Sequence, residues 1–135
     1  MKIIEINNKQ IEDIESRLED YDNKHIVNDL EGYIHIGIVD DNKKLIGGLD
    51  ACITTYKILY VSTLFIDEPY RRKGYGTALI KEMEKRAKAM GVNTIRLDTF
   101  DYQGKEFYIA LNYEVVGHYE NKEDGYAEYF FMKRI

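Results

Sequence analysis

The chain has 135 residues, 44% hydrophobic and 32% charged, with a formal net charge of -5. Such a chain suits one folded domain over residues 1–135 with an ordinary core, and the composition excludes disorder. The acidic balance argues against nucleic acid or an anionic membrane as partner, and no apolar run approaches the roughly 20 residues of a bilayer span.

Met1 to Ile6 is short and apolar-alternating, and is expected to form a first strand. Asn7 or Asn8 can cap a helix, after which Ile11, Ile14, Leu18 and Tyr21 recur at helical spacing. Asp22, Asn23 and Lys24 break the pattern. His25 to Leu30 reads either as a further helical turn or as a loop. Gly32 to Val39 alternates as a strand does, Asp40 to Lys43 turns, and Leu45 to Thr54 returns as the next strand. Within it Cys52, the lone cysteine, is expected to be a buried structural thiol; an unpaired cysteine fits a cytoplasmic location. Tyr56 to Ile66 completes an antiparallel meander, and Pro69, the only proline, ends it.

A helix from about Arg72 to Met90 carries one apolar face: Leu79, Ile80, Met83, Ala87 and Met90. Gly91 is its C-cap, and Asn93 to Phe100 is a strand. Strand, long helix and strand imply a right-handed crossover joining a parallel pair. Gln103 to Leu111 supplies a short helix, and Glu114 to Tyr119 and Tyr126 to Lys133 form a closing hairpin. Three dispersed histidines without close Cys or carboxylate spacing give no metal signature.

The chemistry concentrates at the start of the long helix. Gly74 and Gly76 let backbone N–H groups approach a ligand, and the helix N-terminus offers unpaired donors and the positive dipole end. Arg71, Arg72 and Lys73 add positive charge, so the stretch reads as an anion site, for phosphate above all. Residues 71–89 carry seven basic against two acidic side chains, whereas residues 98–125 carry seven acidic against two basic. A basic patch in an acidic protein points to an anionic cofactor at one place and a neutral or cationic partner elsewhere. The nucleotide P-loop is excluded, because the glycines are two apart and Thr-Ala follows. The dinucleotide fingerprint is excluded because Leu79 stands where its third glycine belongs.

Arg71-Arg-Lys-Gly-Tyr-Gly76 resembles the Arg-x-x-Gly-x-Gly signature of the GNAT superfamily of acyl-CoA-dependent N-acyltransferases. Leu64-Phe-Ile-Asp-Glu-Pro-Tyr70 resembles the strand and turn before that signature, and Phe107-Tyr-Ile-Ala-Leu-Asn-Tyr113 resembles the family's aromatic helix. The resemblance implies an α/β fold of order αβββαβαββ, a predominantly antiparallel sheet with a central parallel pair and helices on both faces. It implies acetyl-CoA as cosubstrate and no metal. Backbone groups of Arg71, Arg72, Lys73, Gly74, Tyr75, Gly76 and Thr77 would hold the pyrophosphate, with the Thr77 hydroxyl adding a bond. Leu64, Phe65 and Ile66 would pair with the pantetheine arm, and Gln103 and Asp101 lie where further cofactor contacts are found.

The activity so implied is direct transfer of an acetyl group to a primary amine. Tyr108 matches the family's proton donor to the departing thiolate; its other reading is a core aromatic. A main-chain N–H of Phe65 or Ile66 would stabilise the oxyanion. The base stays open: Tyr60 stands where some relatives have glutamate, Ser62 could hold a water, and Asp98 and His118 are candidates. Glu19 to Glu31 and Glu120 to Gly125, which match the acceptor-gripping regions, are acidic, so a cationic small molecule or peptide is expected as acceptor. The resemblance leaves a homodimer open. The competing reading is a coenzyme-A-binding sensor or scaffold without catalysis.

Overall fold

A computed structural model describes residues 1–27 and 29–135. Asp40 closes the first hairpin by accepting the N–H groups of Asn42 (2.8 Å) and Lys44 (2.9 Å) on one carboxylate oxygen. That turn joins β1 (Tyr33–Val39) to β2 (Leu45–Ile53), and β3 (Ile58–Ile66) follows as the third antiparallel strand. A single 3-10 turn at Glu68–Tyr70, with Pro69 inside it, leads to α2 (Tyr75–Met90); α1 is Asn8–Asp22. Then come β4 (Thr94–Phe100), α3 (Lys105–Ala110), β5 (Glu114–Asn121) and β6 (Tyr126–Arg134). The sheet order is β1-β2-β3-β4-β6-β5, and β3–β4 is its parallel pair among antiparallel neighbours. This is the mixed sheet and the element order expected from the sequence.

The predicted apolar stripe of α2 is the core. Leu79, Ile80, Met83 and Ala87 are buried against Ile34, Leu49, Ala51, Leu59 and Ile95 of the strands. Alternation along β4 turns Ile95, Leu97 and Thr99 toward the helix and Arg96 and Asp98 away. At the far end Tyr108, Tyr113 and Phe131 pack ring against ring. Glu84 of α2 ties this corner together: Lys133 lies 2.8 Å from it and the Tyr113 hydroxyl donates to it at 3.2 Å. Each side chain of that trio is largely withdrawn from water, where an ion pair is screened less than on the surface.

Two expectations fail. Met1 to Ile6 form no strand, because no neighbouring strand offers them a ladder, and Ile3 remains 92% exposed. Cys52 is exposed rather than buried, because alternation in β2 sends Ala51 to the core and its neighbour to the opposite face. The long helix also starts three residues later than expected, at Tyr75. His25 ends a turn by donating its N–H to Asp22 O (2.9 Å); Asn28, inside the range 25–30 left open above, lies outside the described residues.

α1 begins with a capping box, Asn7 and Gln10 each accepting the other's backbone N–H. None of its residues is buried, and its apolar stripe of Ile11, Ile14, Leu18 and Tyr21 faces solvent.

Gly47 positions the end of β3. A Cβ there would fall 2.9 Å from Phe65 O and 3.2 Å from Ile66 Cα, backbone atoms that cannot step aside as a side chain does. Gly47→Ala is therefore expected to lose roughly 1–3 kcal/mol in urea unfolding, as overpacking does elsewhere. An unchanged midpoint would show that β3 is not held against β2 this tightly.

Candidate active site

The loop before α2 owes its shape to three backbone conformations. Arg71 is extended, Arg72 is left-handed at φ 62°, and Gly74 is left-handed at φ 85° as the N-cap of α2. Glycine is the residue that takes the last of these without strain, and no side chain caps the helix. The first helical bond runs from Ala78 N–H to Gly74 O at 3.0 Å, which leaves the N–H groups of Tyr75, Gly76 and Thr77 without helical acceptors. Gly76 also permits close packing, since a Cβ there would meet the Phe107 ring at 3.3 Å. Arg71 turns back, donating from Nε to Ile66 O at 2.8 Å with its guanidinium over the Phe65 ring.

Beside this loop the sheet opens. β3 and β4 pair only from Ile58↔Thr94 to Tyr60↔Arg96. Register against β2 shifts between Asp50 and Ala51, leaving Ser62 as an extra residue in β3, a bulge that bends the strand away. From there to Ile66 the strand has a partner on one edge only. Asp67 donates its N–H to Ile46 O at 2.8 Å, so alternation points the main chain of Phe65 toward β2 and that of Leu64 and Ile66 toward the opening.

Two cavities fill the opening. The larger, about 660 Å³, is lined by Leu64 to Ile66, by Arg71, Arg72 and Gly74 to Thr77, and by Gln103. The residues expected to hold a cofactor therefore border it except Asp101 and Lys73, the latter with its ammonium over the Tyr70 ring instead. The smaller, about 280 Å³, is bordered by Ser62, Asp98 and Tyr108. Leu64, Phe65, Gln103 and Phe107 line both, so the two are chambers of one cleft. Gln103 is fixed there by accepting the Phe100 N–H at 2.9 Å. Asp101 is spent elsewhere, accepting the Ala127 N–H at 3.1 Å at the start of β6.

Tyr108 stands at the inner end. Burial pushes its pKa up to about 12, and its hydroxyl has no hydrogen-bond partner among the described residues. Asp98 is the one acidic side chain on the smaller chamber, and Tyr60 donates to it at 2.9 Å. Burial first, and Asp98 second, raise the Tyr60 pKa. His118 stacks on Tyr129 and borders neither chamber. On the same face Ser62 donates to Asp50 (3.2 Å), which also meets His35 at 2.9 Å. Tyr70 and Tyr102 line the larger chamber without having been singled out in the sequence. Tyr102 stacks flat on Phe100, an i, i+2 aromatic pair that could have marked it. Among the described residues no group of three His, Cys, Asp or Glu side chains converges on a metal position.

The sequence profile of the acetyltransferase (GNAT) family matches residues 1–118. No protein of curated function matches the chain. An acetyltransferase from Bacillus cereus ATCC 14579, solved by crystallography, is 27% identical over 100% of this chain and 98% of its own, with a TM-score of 0.93. An aminoglycoside 6'-acetyltransferase of type Ii is also 27% identical, over 76% of this chain and 68% of its own, with a TM-score of 0.65. An aminoglycoside 6'-N-acetyltransferase crystallised with coenzyme A shares the fold: 23% identity, TM-score 0.66, 76% of this chain and 72% of its own.

The buried phenols set an alkaline limit. Burial raises the pKa of Tyr108 to about 12, and burial with Glu84 raises that of Tyr113. Above the ordinary tyrosine value near 10 the unfolded chain loses these protons while the folded chain keeps them, so stability falls as pH rises from 10 toward 12. The Tyr108 contribution is on the order of 2 kcal/mol. Urea midpoints measured from pH 8 to 11.5 are expected to drop steeply above 10, and to drop less in Tyr108→Phe.

Proposed function

Because the chain belongs to the acetyltransferase (GNAT) family, we propose that it transfers an acetyl group directly from acetyl-CoA to a primary amine of a cationic acceptor. The observation that carries this reading is the single cleft in which an uncapped helix start, a one-sided strand edge, a protonated phenol and a carboxylate meet. An extended, amide-bearing ligand with a diphosphate at one end and a thioester at the other matches that sequence of surfaces. The N–H groups of Tyr75, Gly76 and Thr77 hold the diphosphate, with Arg71 and Arg72 adding charge. The Ile66 N–H pairs with the arm like an added strand, while the Ile66 carbonyl already accepts from Arg71 Nε.

The thioester then falls in the smaller chamber. There the oxyanion donor is the Leu64 N–H rather than that of Phe65 or Ile66. Phe65 points its amide toward β2, and Ile66 borders only the larger chamber. Asp98 attracts the ammonium group of the acceptor and takes its proton, directly or through one water, so that the neutral amine attacks the carbonyl carbon. Leu64 steadies the negative oxygen that results. As the C–S bond breaks, Tyr108 gives its proton to the sulfur. A phenol with a pKa of about 12 keeps that proton across the physiological range, as a donor must.

The cationic acceptor is supported by Asp98 being the acid on the chamber wall, and by the aminoglycoside specificity named for one relative of 27% identity.

Acetyl-CoA is expected to bind in calorimetry, and polyamines to release free thiol faster than amino acids bearing carboxylates. Tyr108→Phe should lower kcat by roughly 10² or more while leaving acetyl-CoA affinity nearly unchanged. Binding without turnover of any amine would favour the sensor or scaffold reading. Gly74→Ala forces the left-handed cap onto a Cβ residue, at about 1–2 kcal/mol, and should weaken acetyl-CoA roughly tenfold. Equal binding by that variant would remove the loop from the site.

A further inference from the structure

We infer that Tyr60 is a positioning residue for acetyl transfer: its hydroxyl aims Asp98 at the acceptor, and its ring keeps Arg96 from pairing with that carboxylate. The inference rests on the reading of Asp98 as the group that receives the ammonium proton.

The parallel register sets the geometry. Tyr60 of β3 stands beside Arg96 of β4, and Asp98 follows two residues on, on the same open face. Residues i and i+2 of a strand lie about 7 Å apart, well inside the reach of an arginine side chain. An ion pair between them is therefore available. It does not form: among the described residues Arg96 makes no ion pair, and its guanidinium lies over the Tyr60 ring at 4.5 Å. The hydroxyl of the same residue donates to Asp98 Oδ2 at 2.9 Å. One side chain thus stands between cation and anion, with a contact to each.

The other acids of this face are already engaged. Asp50 of β2 is held by His35 at 2.9 Å and by Ser62 at 3.2 Å, and Glu128 of β6 accepts from Tyr119 at 2.6 Å. Asp98 borders the smaller chamber and has the Tyr60 phenol as its one donor among the described residues, which leaves its second oxygen for an ammonium group. With Arg96 on that oxygen, the acceptor's charge would meet a neutralised wall. Burial first, and then Asp98, keep the proton on Tyr60, Glu128 acts in the same sense, and Arg96 opposes them. The phenol accordingly remains a donor at neutral pH. Across the chamber the remaining titratable group is Tyr108, protonated as well.

The test is steady-state kinetics with acetyl-CoA and spermidine from pH 4.5 to 8. Tyr60→Phe keeps the ring and removes only the donor. Its kcat should fall roughly fivefold, and the acid limb of kcat should move up by roughly half a unit, because a carboxylate without its donor is more easily protonated. Tyr60→Leu also releases Arg96, so KM for spermidine should rise roughly fivefold. Adding Arg96→Gln to Tyr60→Leu should restore most of that KM, a recovery that lost packing alone would not give. Calorimetry should find acetyl-CoA affinity unchanged in all three, as Tyr60 and Arg96 border neither chamber. An Asp98→Asn protein as active as wild type would remove the base, and this inference with it. With Asp98→Asn inactive, an unmoved limb in Tyr60→Phe, or a KM in Tyr60→Leu that Arg96→Gln leaves unrelieved, would overturn the role of Tyr60 alone.

Discussion

The structure depends on the parting of its one parallel strand pair. β3 and β4 share three register positions and then separate, and everything with chemical potential lies in the gap. The separation is held from three sides. The Ser62 bulge bends β3 outward, Arg71 anchors the end of the strand through Ile66 O, and the Phe107 ring sits against Gly76 where α3 meets α2. A sheet that stayed paired to Phe100 would satisfy more of its own backbone and would offer a ligand no edge. The unpaired main chain is thus both a local liability and the feature that an extended, amide-bearing cosubstrate can satisfy.

Polar and apolar parts of the cleft are separated along its length. Arg71, Arg72 and the helix start give the outer chamber a positive wall, whereas the inner chamber is closed by Tyr108, Phe107 and Leu64, with Asp98 as its lone carboxylate. A phosphate at the outer end would meet charge that water also screens. A thioester at the inner end would meet few dipoles, each of which acts more strongly for lack of water.

Much of this could be read from residue order. The α2 stripe, the Gly74–Gly76 spacing and the alternation of β4 are local patterns, and local patterns dictated the fold and the anion loop. What was not legible depends on partners distant in the chain. Met1 to Ile6 alternates like a strand but finds no ladder. Cys52 looked like a core residue because its segment is apolar, although only the placement of α2 decides which face of β2 is covered. Asp98 and His118 were equal candidates by composition. The bulge at Ser62, which appears in the register and not in any motif, opens the chamber that Asp98 borders, whereas His118, on β5 at the far edge of the sheet, stacks on Tyr129.

Arg72 holds a left-handed backbone at φ 62° in the loop before α2, beside the larger chamber. A residue with a Cβ pays about 1 kcal/mol for that geometry, and glycine would not. The position therefore sets robustness against recognition. Replacing the arginine by glycine relaxes the fold while removing a cation from the mouth of the cleft, so improved thermal tolerance and improved cofactor capture pull this one site in opposite directions.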